Sequence, residues 1–105
     1  MACQFRGNET MLVDMYRISC LDEGRHTEIV DALKQVRLSF KDSPGSLGQR
    51  LLRDLEDSES MIVVSYWRDR ESLSNARELH AAIDRALSVF KVRAAKNAYE
   101  LIHEQ

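Results

Sequence analysis

The chain has 105 residues, 44% of them hydrophobic and 30% charged, with a formal net charge of −2 at pH 7. A chain of this size supports one domain with one core. Its slight acidity and scattered basic residues exclude a nucleic-acid binder that works through a positive field, and no apolar run approaches the ~18 residues needed to span a membrane.

The first ten residues, MACQFRGNET, lack the apolar stretch of a secretory signal and read as a tail, leaving a single domain over residues 11–105. The two cysteines are Cys3 in that tail and Cys20 at the end of the first apolar run. Two thiols without a secretory signal point to a reducing, cytoplasmic setting and no disulfide framework.

Residues 11–20, MLVDMYRISC, are apolar at alternating positions of both parities. Met11, Val13 and Met15 fall on one side, and Leu12, Tyr16, Ile18 and Cys20 on the other, as in a strand covered on both faces. Gly24 punctuates the chain. Ile29, Leu33, Val36 and Phe40 then recur on one helical face. Pro44-Gly45 marks a turn. Residues 47–57, LGQRLLRDLED, alternate as a strand with one wet face, suited to a sheet edge. Asp57–Ser60 connects it to MIVVSYW (61–67), a second strand apolar on both faces. Asp69 is placed to cap a helix from about residue 70 to about 92, whose buried stripe would be Leu73, Ala76, His80, Ile83, Leu87 and Phe90. A short final strand is expected over 95–105.

The order β-α-β-β-α-β predicts an α+β, ferredoxin-like sheet of four antiparallel strands with both helices on one face. The apolar strands, first and third, would be central, and the polar second and fourth would be edges. Two helices cover only one face, yet the central strands are apolar on both. The second face is therefore expected to bury itself against a second copy, sheet on sheet, in a homodimer.

The stretch SPGSLGQRLLRDLEDSESMIVVSYWRDRESL resembles the antibiotic biosynthesis monooxygenase superfamily of dimeric α/β-barrel proteins. The shared features are the Pro-Gly turn before strand two, the hairpin, a strand ending in Ser-x-Trp, a polar cap, and a helix carrying a histidine. The resemblance spans roughly residues 11–105. It implies a dimer of ferredoxin-like subunits with a pocket between sheet and helices, and, in some members, oxidation of phenols or quinols by O2 with no metal or flavin. Other members degrade haem. Trp67 matches the family tryptophan, and His80 falls where many members carry a histidine. Anthrone-oxidising members place Asn about four residues before the tryptophan and Tyr about six after it; here those positions are Val63 and Leu73. Haem-degrading members carry an Asn in strand one and a Trp/His pair on the second helix; here strand one has no Asn, and the comparable helix positions fall near Ala76 and Ala86.

Cofactor-independent oxygenation requires a phenol to lose its proton so that the anion can give an electron to O2. A base titrating near the working pH does this best. His80 among apolar neighbours is the candidate, because burial favours its neutral, proton-accepting form; a core histidine bonded to a carbonyl or hydroxyl is the alternative. Trp67 offers a flat wall and an indole donor to an aromatic substrate, or else plugs the core. Tyr16 and Tyr66 could bond a ligand oxygen. Arg17 could hold a phenolate, or pair with a carboxylate at the dimer interface. His26, His80 and His103 lack metal-ligand spacing, so no metal and no other cofactor is expected. No glycine-rich phosphate loop and no Gly-x-Ser-x-Gly elbow is present. Three readings follow: a cofactor-independent monooxygenase of a small aromatic phenol or quinol; a non-catalytic dimeric ligand-binding or accessory protein of the same fold; and, third, a haem-degrading oxygenase.

Overall fold

The computed structural model describes residues 11–102. The expected tail, with Cys3, and the end of the expected last strand, with His103, lie outside the described residues. The elements are β1 (Leu12–Cys20), α1 (His26–Ser39), β2 (Ser46–Arg53), β3 (Ser60–Trp67), α2 (Leu73–Ala86) and β4 (Val92–Glu100); a single 3-10 turn, Arg70–Ser72, leads into α2. The strands form one antiparallel sheet in the order β2-β3-β1-β4. This is the ferredoxin-like α+β fold, with β1 and β3 central as their composition requires. No described helix is long and apolar enough to cross a membrane.

Burial along β1 alternates without a break: Leu12, Asp14, Tyr16, Ile18 and Cys20 are buried, and the residues between them are partly exposed. Cross-strand pairing carries the same parity into β3 through Leu12↔Trp67, Asp14↔Ser65, Tyr16↔Val63 and Ile18↔Met61. Ile29 and Leu33 of α1, with Ala76, Leu79, Ile83 and Leu87 from α2 and its end, complete the core against that face. Both helices thus lie on one side of the sheet. The opposite side presents Val13, Met15, Ile62, Val64 and Tyr66, with exposed Leu52 and Tyr99 toward its edges.

Three boundaries differ from the sequence reading. The second strand stops at Arg53, because Asp54 turns the chain. Its Oδ1 accepts the backbone N–H groups of Glu56 (2.8 Å) and Asp57 (3.2 Å), and Asp57 in turn accepts from Glu59 N–H and the Ser60 hydroxyl. Aspartate side chains here do what glycine does in shorter hairpins. The second helix stops at Ala86, where the Leu87 N–H is shared between the carbonyls of Ile83 and Arg85. The last strand begins at Val92, since β1 runs to Cys20 and recruits a partner along its whole length. Phe90 therefore sits in a turn, packed on the core margin.

Asp69 caps as expected: its Oδ1 accepts from the Ser72 N–H (3.0 Å) and hydroxyl (2.8 Å). These hydrogen bonds hold the Asp69 carboxyl below the usual carboxylate range. The Pro-Gly turn docks on this cap. Asn75 donates to the Pro44 carbonyl, and Gly45 has φ +82°; a β-carbon there would stand 1.8 Å from the Ser72 hydroxyl oxygen. Only glycine satisfies both the backbone angle and the contact.

Candidate functional site

Two residues on a strand rise about 6.8 Å, and four residues on a helix rise about 6.0 Å. β1 and α2 use that near match. Asp14 and Tyr16, two apart on β1, face His80 and Asp84, four apart on α2. His80 Nε2 lies 2.5 Å from Asp14 Oδ2, and the Tyr16 hydroxyl donates to Asp84. The Tyr16 and His80 rings stack between these contacts, centroids 4.4 Å apart and planes within 12°.

The pair is dry. His80 and Asp14 are both buried in the core layer. An ionised carboxylate only accepts hydrogen bonds, so with Asp14 in that form the donor of this contact is His80 Nε2–H. Nδ1 is buried and has no hydrogen-bond partner among the described residues. Burial, then the hydrogen bond to Asp84 and the charges of Asp84 and Asp14, push the Tyr16 phenol far above its ordinary value.

A cavity of about 170 Å3 opens beside the pair, between α2 and the β1–β4 edge. Its walls include Asp14, His80, Leu73 and Ala76, with Arg77 and Lys96 as the cations. The space exists because, opposite Asp14, Tyr16 and Ile18, β4 presents Ala98, Lys96 and Ala94 to the helix side, and these remain exposed. Small side chains on an edge strand leave a trough where larger ones would have filled it.

The five residues singled out in the sequence separate. His80 is in the cavity wall. Tyr16 stacks on it, but its hydroxyl is committed to Asp84 rather than free for a ligand. Trp67 is fully buried and donates its indole N–H to Ser65 Oγ (2.8 Å), so it packs next to the pair without lining the open space. Tyr66 and Arg17 stand on the other face of the sheet, because their positions have the opposite parity to Trp67 and Tyr16. Arg17 there binds Asp54 (2.6 Å) and reaches Asp57 (3.5 Å). The cations beside the cavity are Lys96 and Arg77 instead.

Asp14 and Asp84 were missed. Asp14 shares parity with Leu12, Tyr16 and Ile18 in a strand read as apolar on both faces. Its signal was a lone carboxylate on the helix-facing side, matched by a lone imidazole on the apolar stripe of α2. Each needs a buried partner, and among the described residues no other buried carboxylate or imidazole lies in that layer.

The sequence matches the family profile described as antibiotic biosynthesis monooxygenase over residues 11–83. No curated protein matches it. Solved structures share the fold. A candidate antibiotic biosynthesis monooxygenase from Caulobacter crescentus superposes with a TM-score of 0.75 at 12% identity, covering 91% of this chain and 93% of its own. SnoaB, a cofactor-independent oxygenase from Streptomyces nogalater, gives 0.66 at 16% identity, covering 90% and 94%. A conserved protein from Methanosarcina mazei gives 0.69 at 16% identity, covering 85% and 91%. With the sheet order, the paired helices and the profile match across most of the chain, this protein belongs to the antibiotic biosynthesis monooxygenase family.

Proposed function

We propose that this protein is a cofactor-independent monooxygenase that oxidises a small, single-ring phenol or quinol with O2. The observation that carries the reading is the buried Asp14–His80 pair, with an unpartnered Nδ1, in the wall of a cavity of about 170 Å3. An engineered apolar cavity of roughly 150 Å3 accepts benzene, so this volume suits one aromatic ring. It disfavours haem, and a fused tricycle would have to protrude.

Asp14 fixes the His80 tautomer, as the carboxylate of a catalytic triad fixes its imidazole. His80 Nδ1 takes the phenolic proton. Lys96 and Arg77 stand exposed at the rim, where their positive charge, screened by solvent, still favours the phenolate that forms. The electron-rich anion reduces O2. One oxygen atom then enters the ring as a carbonyl, the other leaves as water, and the electrons come from oxidation of the phenol to the quinone. Trp67 and Tyr16 hold the shape of the site, and Tyr66 and Arg17 belong to the opposite face.

That opposite face supports a homodimer: Val13, Met15, Ile62 and Tyr66, around the buried Val64, form an apolar strip that neither helix covers. Equilibrium sedimentation at micromolar concentration should give twice the monomer mass, and a monomer would end this part of the reading.

Oxygen uptake on a panel of single-ring phenols and hydroquinones tests the activity. Wild type should consume O2 with at least one substrate, and His80→Ala should be slower by about 10²–10⁴-fold. Equal rates in both proteins would remove His80 as the base. Binding without any uptake would favour the second reading, a ligand-binding protein, for which Val63 and Leu73 at the two departures from the anthrone-oxidising pattern already speak.

A further inference from the structure

We propose that Cys20, His26 and Glu59 form a binding site for a divalent cation of borderline softness, with Zn2+ as the fitting occupant. The three residues come from separate elements that the fold joins at one corner. Cys20 ends β1, His26 begins α1, and Glu59 immediately precedes β3. The Cys20 N–H donates to the Glu59 carbonyl at 2.7 Å, which fixes the two strand ends. One ligating atom from each side chain lies within 4.8 Å of the other two.

The His26–Glu59 distance suits a shared metal better than a hydrogen bond. His26 Nε2 is buried without a hydrogen-bond partner among the described residues, and its separation from Glu59 Oε1 is 3.6 Å. A hydrogen bond would close to roughly 2.7–3.2 Å. Zinc bonds of roughly 2.0–2.3 Å give a tetrahedron with edges of roughly 3.3–3.8 Å, the range in which this pair sits. A buried imidazole nitrogen without a partner is costly, and a metal would satisfy it. The Cys20 thiol is buried and donates to the Asp22 carbonyl at 3.2 Å. Metal binding would replace that contact and release the thiol proton.

The donor set selects the ion. Thiolate, imidazole and carboxylate together suit Zn2+, whereas Mg2+ and Ca2+ require oxygen ligands. Three protein ligands leave a fourth position, and clefts bordering Glu59 give water access to it. The site is separate from the Asp14–His80 cavity: Cys20 is six residues along β1 from Asp14, roughly 20 Å away. Spacing in the sequence concealed it, since Glu59 lies far along the chain from Cys20 and His26.

Titration of the reduced full-length protein with Zn2+ alone, followed by calorimetry, should show one equivalent bound. Co2+ in its place should give a sulfur-to-cobalt charge-transfer band in the near ultraviolet. Cys20→Ser should abolish that band, His26→Ala should weaken Zn2+ binding at least tenfold, and Cys3→Ser should change neither. Saturating Zn2+ should raise the melting temperature of wild type but not of His26→Ala. His26 is only half-buried, so its variant keeps the test decisive even where Cys20→Ser does not fold. Absence of stoichiometric Zn2+ binding, a charge-transfer band that survives in Cys20→Ser, or equal affinity in His26→Ala and wild type would overturn the proposal.

Discussion

Asp14 and Arg17 leave the same strand in opposite directions. Under the helices, Asp14 meets His80 at 2.5 Å with side chains 6% and 7% exposed; on the uncovered face, Arg17 meets Asp54 at 2.6 Å with side chains 37% and 24% exposed. The contact lengths are nearly the same, and the difference is water. A dry pair left with one member is a stranded polar group, while a wet pair is screened and replaced by solvent. Distance alone therefore says little about which contact matters.

The largest expected effect breaks the dry pair. Asp14→Ala or His80→Ala should each destabilise by about 3–5 kcal/mol in chemical denaturation. Asp14→Leu/His80→Leu should recover most of that loss while oxygen uptake stays abolished, because two apolar side chains leave no unpaired charge. If the double variant is no more stable than the singles, the contact is not dominated by desolvation.

A middle-sized effect lies one contact along, at Tyr16. Tyr16→Phe removes the hydrogen bond to Asp84 and should cost about 1–2 kcal/mol near neutral pH. The Tyr16 phenol is raised in the fold above its ordinary value of 10.0. The stability it contributes is thus complete below about pH 10 and drains away as pH rises further. Alkaline unfolding followed by circular dichroism should accordingly show a shallower decline in Tyr16→Phe than in wild type. Parallel declines would mean that this phenol is not the group being lost.

The smallest effect belongs to the wet pair. Arg17 hydrogen-bonds Asp54 and holds its carboxyl below the ordinary 3.8. A depressed carboxylate contributes above its unfolded value and loses that contribution as pH falls through its folded one. Asp54→Asn keeps an amide oxygen for the hairpin N–H groups and loses the oxygen that Arg17 binds, so it should leave the melting temperature almost unchanged at neutral pH and flatten the decline below about pH 4. Added salt should narrow the difference between Arg17→Met and wild type, whereas Asp14→Ala should be insensitive to it.

Much of this was legible from residue patterns. The alternation in residues 11–20 and 61–67 identified the central strands, the Pro44-Gly45 pair located a turn, and the stripe through Ile83 identified α2 and exposed His80 as its odd member. Element ends were harder to read, because they depend on partners. Val92 joins β4 only because Cys20 needs a neighbour, and β2 ends where Asp54 supplies acceptors to its own backbone. The site was half legible. His80 stood out against its apolar stripe, but Asp14 was hidden by the runs of Met and Leu around it. Tyr66 and Arg17 were candidates for a ligand contact or for a packing or ion-pair role, and strand parity puts both on the sheet face away from the helices. The Cys20–His26–Glu59 corner could not be read at all, since its third member arrives through sheet pairing.

The stacked ring of Tyr16 bears on how such an enzyme would survive its own chemistry. Under the proposed activity, a catalyst that makes phenols oxidisable by removing their protons would carry a phenol of its own, Tyr16, stacked on His80. Tyr16 keeps its proton because its hydroxyl is aimed at Asp84, away from the imidazole edge, and because its surroundings resist a second negative charge. A protonated phenol is a far poorer reductant than a phenolate, so in the proposed reaction electrons for O2 would be drawn from the visitor and not from the host.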